Sequence, residues 1–177
     1  MNKARDCFKQ ALKDEEKGKK HKGLLLARPS VEEAERYVKK ARMNLELCAF
    51  YKEKGFDYKI SEEWFYTLYY YALAILARFG VESRSQKCTA LFIEYIKSKG
   101  LIDYNEEFIA RISVHAEKSL KTDVDERETA RYSSLTKSKE IESRYEYMDE
   151  LCKKAISQAE DIIYEDKQFQ VPEELHK

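Results

Sequence analysis

The chain has 177 residues, about one domain's worth, with 43% hydrophobic and 37% charged residues. Thirty-three Lys and Arg offset thirty-three Asp and Glu, which removes any global electrostatic case for a protein that holds nucleic acid mainly through phosphates, although a local basic patch stays open. Five glycines and two prolines are too few for the turns of an all-β fold of this length. The expected class is all-α: an antiparallel helical bundle with a long C-terminal helix.

Taken in order, Ala4 to about Glu16 predicts a short amphipathic helix with Cys7, Phe8, Ala11 and Leu12 on one face. Lys17 to Gly23 is a basic stretch read as a solvated linker, an RNA or acidic-partner contact being the sharper option. Residues 1–30 therefore form an N-terminal helical extension and basic linker, and the bundle proper is placed at 31–166. Ser30 caps a helix from Val31 to about Lys54, whose Ala34, Val38, Ala41, Leu45 and Cys48 make a narrow apolar seam, with Gly55 as its stop. Ser61 is read as the cap of a third helix, Glu62 to Phe79, apolar nearly all round and hence central to the bundle. Ser83 or Ser85 caps a fourth helix to about Lys99, and a fifth spans about Asn105 to Ser119. Between Asp123 and Asp166 lies the last helix, where Ile141, Tyr145, Met148, Cys152, Ala155, Ala159 and Ile162 step by four and three. That seam packs inside the chain, or pairs two copies as a coiled coil. Residues 167–177 read as a frayed tail, and no β-pattern is evident.

Cys7, Cys48, Cys88 and Cys152 stand singly beside apolar residues and without metal-ligand spacing, so they are read as reduced, buried thiols. Reduced thiols imply a cytoplasmic location. The polar N-terminus does not resemble a signal peptide, and the longest apolar run, Leu68 to Ala77, is too short for a bilayer. No phosphate loop, dinucleotide fingerprint or zinc-protease motif occurs. His21, His115 and His176 are isolated from one another, so neither a metal nor a cofactor is expected. Two clusters are candidates for function. The corner from Arg78 to Lys87 gathers Arg78, Arg84 and Lys87 around helix N-terminal amides able to hold a phosphate; otherwise it is a polar turn. Asp125 to Tyr132 carries Arg127 and Arg131 at the start of the last helical region; otherwise it is a solvated charged face.

The order of Ala41-Arg42-Met43-Asn44-Leu45, then Trp64-Phe65-Tyr66-Thr67-Leu68-Tyr69-Tyr70-Tyr71-Ala72 with Gly80 beyond, resembles the HEPN family. Ser83-Arg84-Ser85-Gln86-Lys87 leading to Leu91-Phe92, and Arg127 to Tyr132 before the last helix, complete a resemblance that covers about 31–163. It implies an antiparallel bundle, often dimeric, that pairs with a nucleotidyltransferase-like protein. Active members of the family are metal-independent ribonuclease toxins, with an Arg followed four to six residues later by a His at a helix start. Here the position of that His falls on Gln86, which hydrogen-bonds but exchanges no proton near pH 7. No catalytic residue is assigned on this reading. Arg78, Arg84, Gln86, Lys87, Tyr66, Tyr70, Arg127 and Arg131 are the candidates to bind a nucleotide, an RNA or a partner protein in a toxin–antitoxin or defence-type system. The alternatives are a divergent ribonuclease using Arg84 with another residue, and a homodimeric interaction protein without a ligand.

Overall fold

The computed structural model describes residues 3–113 and 139–177. Among them, helices α1 (Lys3–Glu16), α2 (Val31–Lys54), α3 (Asp57–Phe79), α4 (Gln86–Ser98), α5 (Glu106–Ile112) and α6 (Lys139–Tyr164) are joined by a small ladder of β1 (Leu24–Leu26) and β2 (Val81–Ser83). The chain is an all-α bundle. No helix among the described residues is long and apolar enough to cross a membrane.

The hub is α3. Every residue from Tyr71 to Ala77 is buried, so about two turns of this helix have no solvent face. A helix apolar all round must be covered on all sides, and α2, α4, α5 and α6 all pack against it. Trp64, Phe65, Leu68 and Ile75 are its largest apolar core contributions. Ser30 caps α2 by accepting the Glu33 amide at 3.1 Å, with Glu32 and Glu33 in the first turn complementing the helix dipole. Gly55 ends it with φ of 73°. The α3 start lies earlier than the Ser61 cap predicts. Phe56 is its N-cap without a side-chain cap, and Ser61 is buried inside the helix. The Phe56 amide closes back on the Tyr51 carbonyl at 2.9 Å, so the chain reverses at once and Ile60 gains a fully buried seat. Core burial outweighs the local cap signal.

All seven seam residues of α6 are buried, and α6 lies on α3 and α2, so the seam is filled by the chain's own helices. Buried Tyr71 of α3 donates its hydroxyl to Glu160 Oε1 at 3.0 Å. Arg42 of α2 donates to the same oxygen through Nη2 at 2.7 Å and Nε at 3.1 Å. Three helices thus share one polar tie. The predicted fifth helix is capped by Asn105 but ends at Ile112, short of Ser119, with Ser113 already extended at φ −72° and ψ 137°; 114–119, with His115, lie outside the described residues.

Four expectations are corrected. Leu24–Leu26 forms a strand antiparallel to β2, with Leu24 opposite Ser83 and Leu26 opposite Val81. Such a short pair has no legible alternation, and its partner strand is 55 or more residues away in sequence. Residues 167–177 are docked rather than frayed: Phe169 stacks on Phe79 with ring centres 4.7 Å apart, and Leu175 is fully buried. Within the basic loop, His21 is buried while the lysines around it are exposed. Finally, Cys7 and Cys88 form a disulfide across 81 positions, whereas Cys48 and Cys152 stay as buried thiols. The premise of four reduced thiols therefore fails for one pair, and with it the argument from thiols to the cytoplasm. Each cysteine of that pair sits on the apolar face of an amphipathic helix, so spacing carried no sign of the pairing. Helix α1 packs on α4 and β1, with Ala4, Cys7, Phe8 and Ala11 buried.

Candidate functional site

The N-terminus of α4 is built from a closed hydroxyl network. Ser85 caps the helix by accepting the Cys88 amide at 3.3 Å. Thr89 donates to Ser83 Oγ at 2.8 Å. The Ser85 carbonyl takes the Thr89 amide, at 2.9 Å. As first-turn donors, the amides of Gln86 and Lys87 have no carbonyl one turn earlier to bind, and they carry the positive end of the helix dipole. Gln86 is half-buried and Lys87 exposed.

The corner is not one cluster of cations. Arg78 turns away from it: its Nη2 donates to the carbonyls of Glu165 at 3.0 Å and Lys167 at 3.3 Å. The Arg78 guanidinium also lies 5.3 Å from the centre of the Phe169 ring. It anchors the C-terminal segment instead of a ligand. Arg84 stays at the corner, half-exposed, with Nε on Glu82 Oε1 at 2.9 Å. Arg127 and Arg131 lie outside the described residues.

Tyr66 and Tyr70 belong to a larger aromatic strip. Tyr70 stacks on Tyr66 with centres 5.6 Å apart and planes at 24°. Its ring is also stacked with Tyr37 of α2, with centres 6.2 Å apart and planes at 20°. Lys40 places its ammonium 5.5 Å from the Tyr70 ring centre and 5.8 Å from that of Tyr37, a cation–π arrangement. Tyr69, stacked on Phe65 at 5.7 Å, approaches the fully buried Thr89 in the first turn of α4. The charge of Glu82 reaches Tyr37, so strip and corner lie within electrostatic reach of one another. Burial pushes the phenols of Tyr37, Tyr69 and Tyr70 upward from their usual range. They remain neutral hydroxyls at physiological pH, offering ring faces and hydrogen bonds but no phenolate. Glu63 lies at the strip's edge, half-buried, and desolvation, reinforced by neighbouring Glu62, holds its carboxyl above the ordinary value.

Three residues, His21, Tyr37 and Lys40, reach this region only through tertiary structure. The Lys17–Gly23 loop and the β1–β2 ladder bring His21 to Glu82, with Nε2 3.4 Å from Oε1. Glu82 therefore faces both His21 and Arg84. Tyr37 and Lys40, three apart on α2, had a sequence signal only as an i, i+3 pair; nothing local says that α3 tyrosines stack on them. Among the described residues no group of three or more His, Cys, Asp or Glu is placed to hold a metal ion.

No family model matches the chain, and neither the curated proteins nor the solved structures contain a match.

Proposed function

We propose that the chain is a HEPN-like helical module whose tyrosine strip and α4 corner bind single-stranded RNA or a nucleotide. On this reading it acts beside a nucleotidyltransferase-like partner in a toxin–antitoxin or defence-type system, as the sequence resemblance implies. The observation that carries the binding reading is the stacked run Tyr66–Tyr70–Tyr37 under Lys40, with neighbouring Tyr69 approaching the first turn of α4. Half-buried tyrosine faces accept bases without sequence preference, and each stacked base is worth roughly 1–3 kcal/mol. Arg84, Lys87 and the first-turn amides of α4 supply the phosphate end, where a helix N-terminus favours an anion. The balanced net charge fits a short ligand held at one strip better than a long duplex held by its backbone.

A second reading rests on the approach of His21 to Glu82 beside Arg84. It would restore a histidine–arginine pair at the corner where Gln86 stands, and so support slow RNA cleavage with His21 as proton carrier. One experiment separates the two. A fluorescein-labelled 12-nucleotide RNA is titrated with the protein in chelator, and its length is followed on a gel. Binding without cleavage, weakened roughly 5- to 150-fold by Tyr70→Ala and markedly by Arg84→Ala but not by Lys97→Ala, supports the first reading. Chelator-resistant cleavage abolished by His21→Ala supports the second. An RNA that neither binds nor shortens removes both.

A further inference from the structure

The Cys7–Cys88 disulfide occupies a mechanically sensitive place. It joins α1 to the first turn of α4, across 81 positions. Besides the disulfide, α1 and β1 are held by the burial of Ala4, Phe8, Ala11 and Leu24 and by main-chain bonds from Arg84 N to the Gly23 carbonyl at 3.3 Å and from Ala27 N to the Gly80 carbonyl at 2.8 Å. Phe8 meets Phe92 edge-on at 6.3 Å, and Arg5 Nη2 donates to the Lys177 carbonyl at 2.8 Å. Gly23 passes so close that a Cβ there would stand 2.2 Å from the Cys7 carbonyl oxygen. The ladder to β2 is three residues long, and an isolated two-stranded ladder is marginal in water. A 14-residue helix is marginal by itself as well. The other two thiols, Cys48 and Cys152, are fully buried under α2, α3 and α6, and burial pushes the Cys48 thiol well above its usual range.

We propose that Cys7–Cys88 is a redox latch: a dithiol reductant opens it selectively and releases α1 and β1 as a unit, while the α2–α3–α6 body stays folded. One thiolate of the reductant attacks a sulfur of the pair. The S–S bond breaks, and the other cysteine leaves as a thiolate that takes up a proton. The second reductant thiol then closes on the mixed disulfide and frees the second cysteine. Two electrons and two protons pass from the dithiol to the pair, and the reductant leaves as a cyclic disulfide. Both cysteines are 6% exposed, so attack follows opening of the first turns of α1. This latch stands on the disulfide and the packing of α1, independently of any ligand at the tyrosine strip.

The test uses the full chain, purified without reductant, then treated with dithiothreitol. Iodoacetamide labelling is located by mass spectrometry, and amide hydrogen exchange is followed in oxidised and reduced protein. The expected result is native-state labelling of Cys7 and Cys88 only after dithiothreitol, with Cys48 and Cys152 labelled only in denaturant. Exchange across residues 3–26 should accelerate at least tenfold on reduction, with 60–79 and 141–163 unchanged. A Cys7→Ala/Cys88→Ala double variant should match the reduced protein without any reagent. Four thiols titrating in the unreduced, denatured protein would overturn the proposal. So would protection of 3–26 that is the same in the oxidised, reduced and double-variant forms, or loss of protection across the whole body.

Discussion

Gly80→Ala is a sharp probe of how β1 and the 27–30 segment meet the end of α3. Gly80 closes α3 with φ of 70°, a left-handed conformation that costs an L-residue about 1–2 kcal/mol. Space is the second cost. A Cβ at Gly80 would stand 2.7 Å from the Ala27 carbonyl oxygen and 2.8 Å from both the nitrogen and Cδ of Pro29. These are backbone and ring atoms, and the same segment is tied by Ala27 N to Gly80 O at 2.8 Å and Ser30 N to Ala77 O at 3.0 Å. Relieving the overlap must stretch those bonds or shift α2's cap, at about 1–3 kcal/mol. Gly100→Ala is the matched control, because Gly100 has φ of 67° and a Cβ added there would meet nothing within 4 Å. It meets the backbone cost alone, and the gain from stiffening the unfolded chain cancels between the two. In urea unfolding followed by circular dichroism, with a slope of about 2 kcal/mol per M, the midpoint of Gly80→Ala should fall about 0.5–1.5 M further than that of Gly100→Ala. Equal shifts would refute the close approach of Ala27 and Pro29 to the end of α3.

Two further outcomes concern carboxylates. Glu63, raised by burial, opposes folding only where the unfolded state is ionised, so its penalty is absent at low pH and complete above its folded value. Glu63→Gln should therefore raise Tm at pH 7 and leave it unchanged at pH 3 by calorimetry; an equal gain at both would show that ionisation is not the cause. Glu174 is the opposite case: its carboxyl is held down to about 2 by the Tyr95 hydroxyl first, then by a main-chain hydrogen bond and Lys99. Its contribution is present in full above the ordinary value of 4.5 and is lost as pH falls through about 2. Amide protection of 169–177 should drop over that window in the native protein but show no such step in Glu174→Gln; an identical step in both would assign it to another group.

Features with local causes were legible in the sequence. Ser30, Gly55, Gly80 and Ser85 stop or start helices through bonds to residues within one turn, and the α6 seam is a period that any reading of heptads finds. What failed depended on contacts distant in sequence. The C-terminal segment looks polar, but Phe169 and Leu175 find seats prepared by Phe79 and α1. Arg78 has the pattern of a corner cation, yet those same C-terminal carbonyls claim it. Tyr66 and Tyr70 were visible as part of a tyrosine run, whereas Tyr37, Lys40 and His21 join the site through helix pairing and a three-residue ladder. The disulfide had no signature at all, because both partners also satisfy the pattern of ordinary core cysteines.

The shared tie of Arg42, Tyr71 and Glu160 bears on how the bundle finds one alignment. A seven-residue slide of α6 along α3 would exchange Ile141, Met148, Ala155 and Ile162 among themselves, and likewise Tyr145, Cys152 and Ala159. The slide keeps apolar residues on apolar seats, although it exchanges side chains as unequal as Tyr145 and Cys152. It also has an electrostatic consequence: seven residues before Glu160, on the same helix, stands Lys153. The displacement that brings Lys153 to this place would set an ammonium against the Arg42 guanidinium and leave the Tyr71 hydroxyl without its carboxylate acceptor. One acid with a lysine a heptad before it helps a repetitive helix settle in a single position.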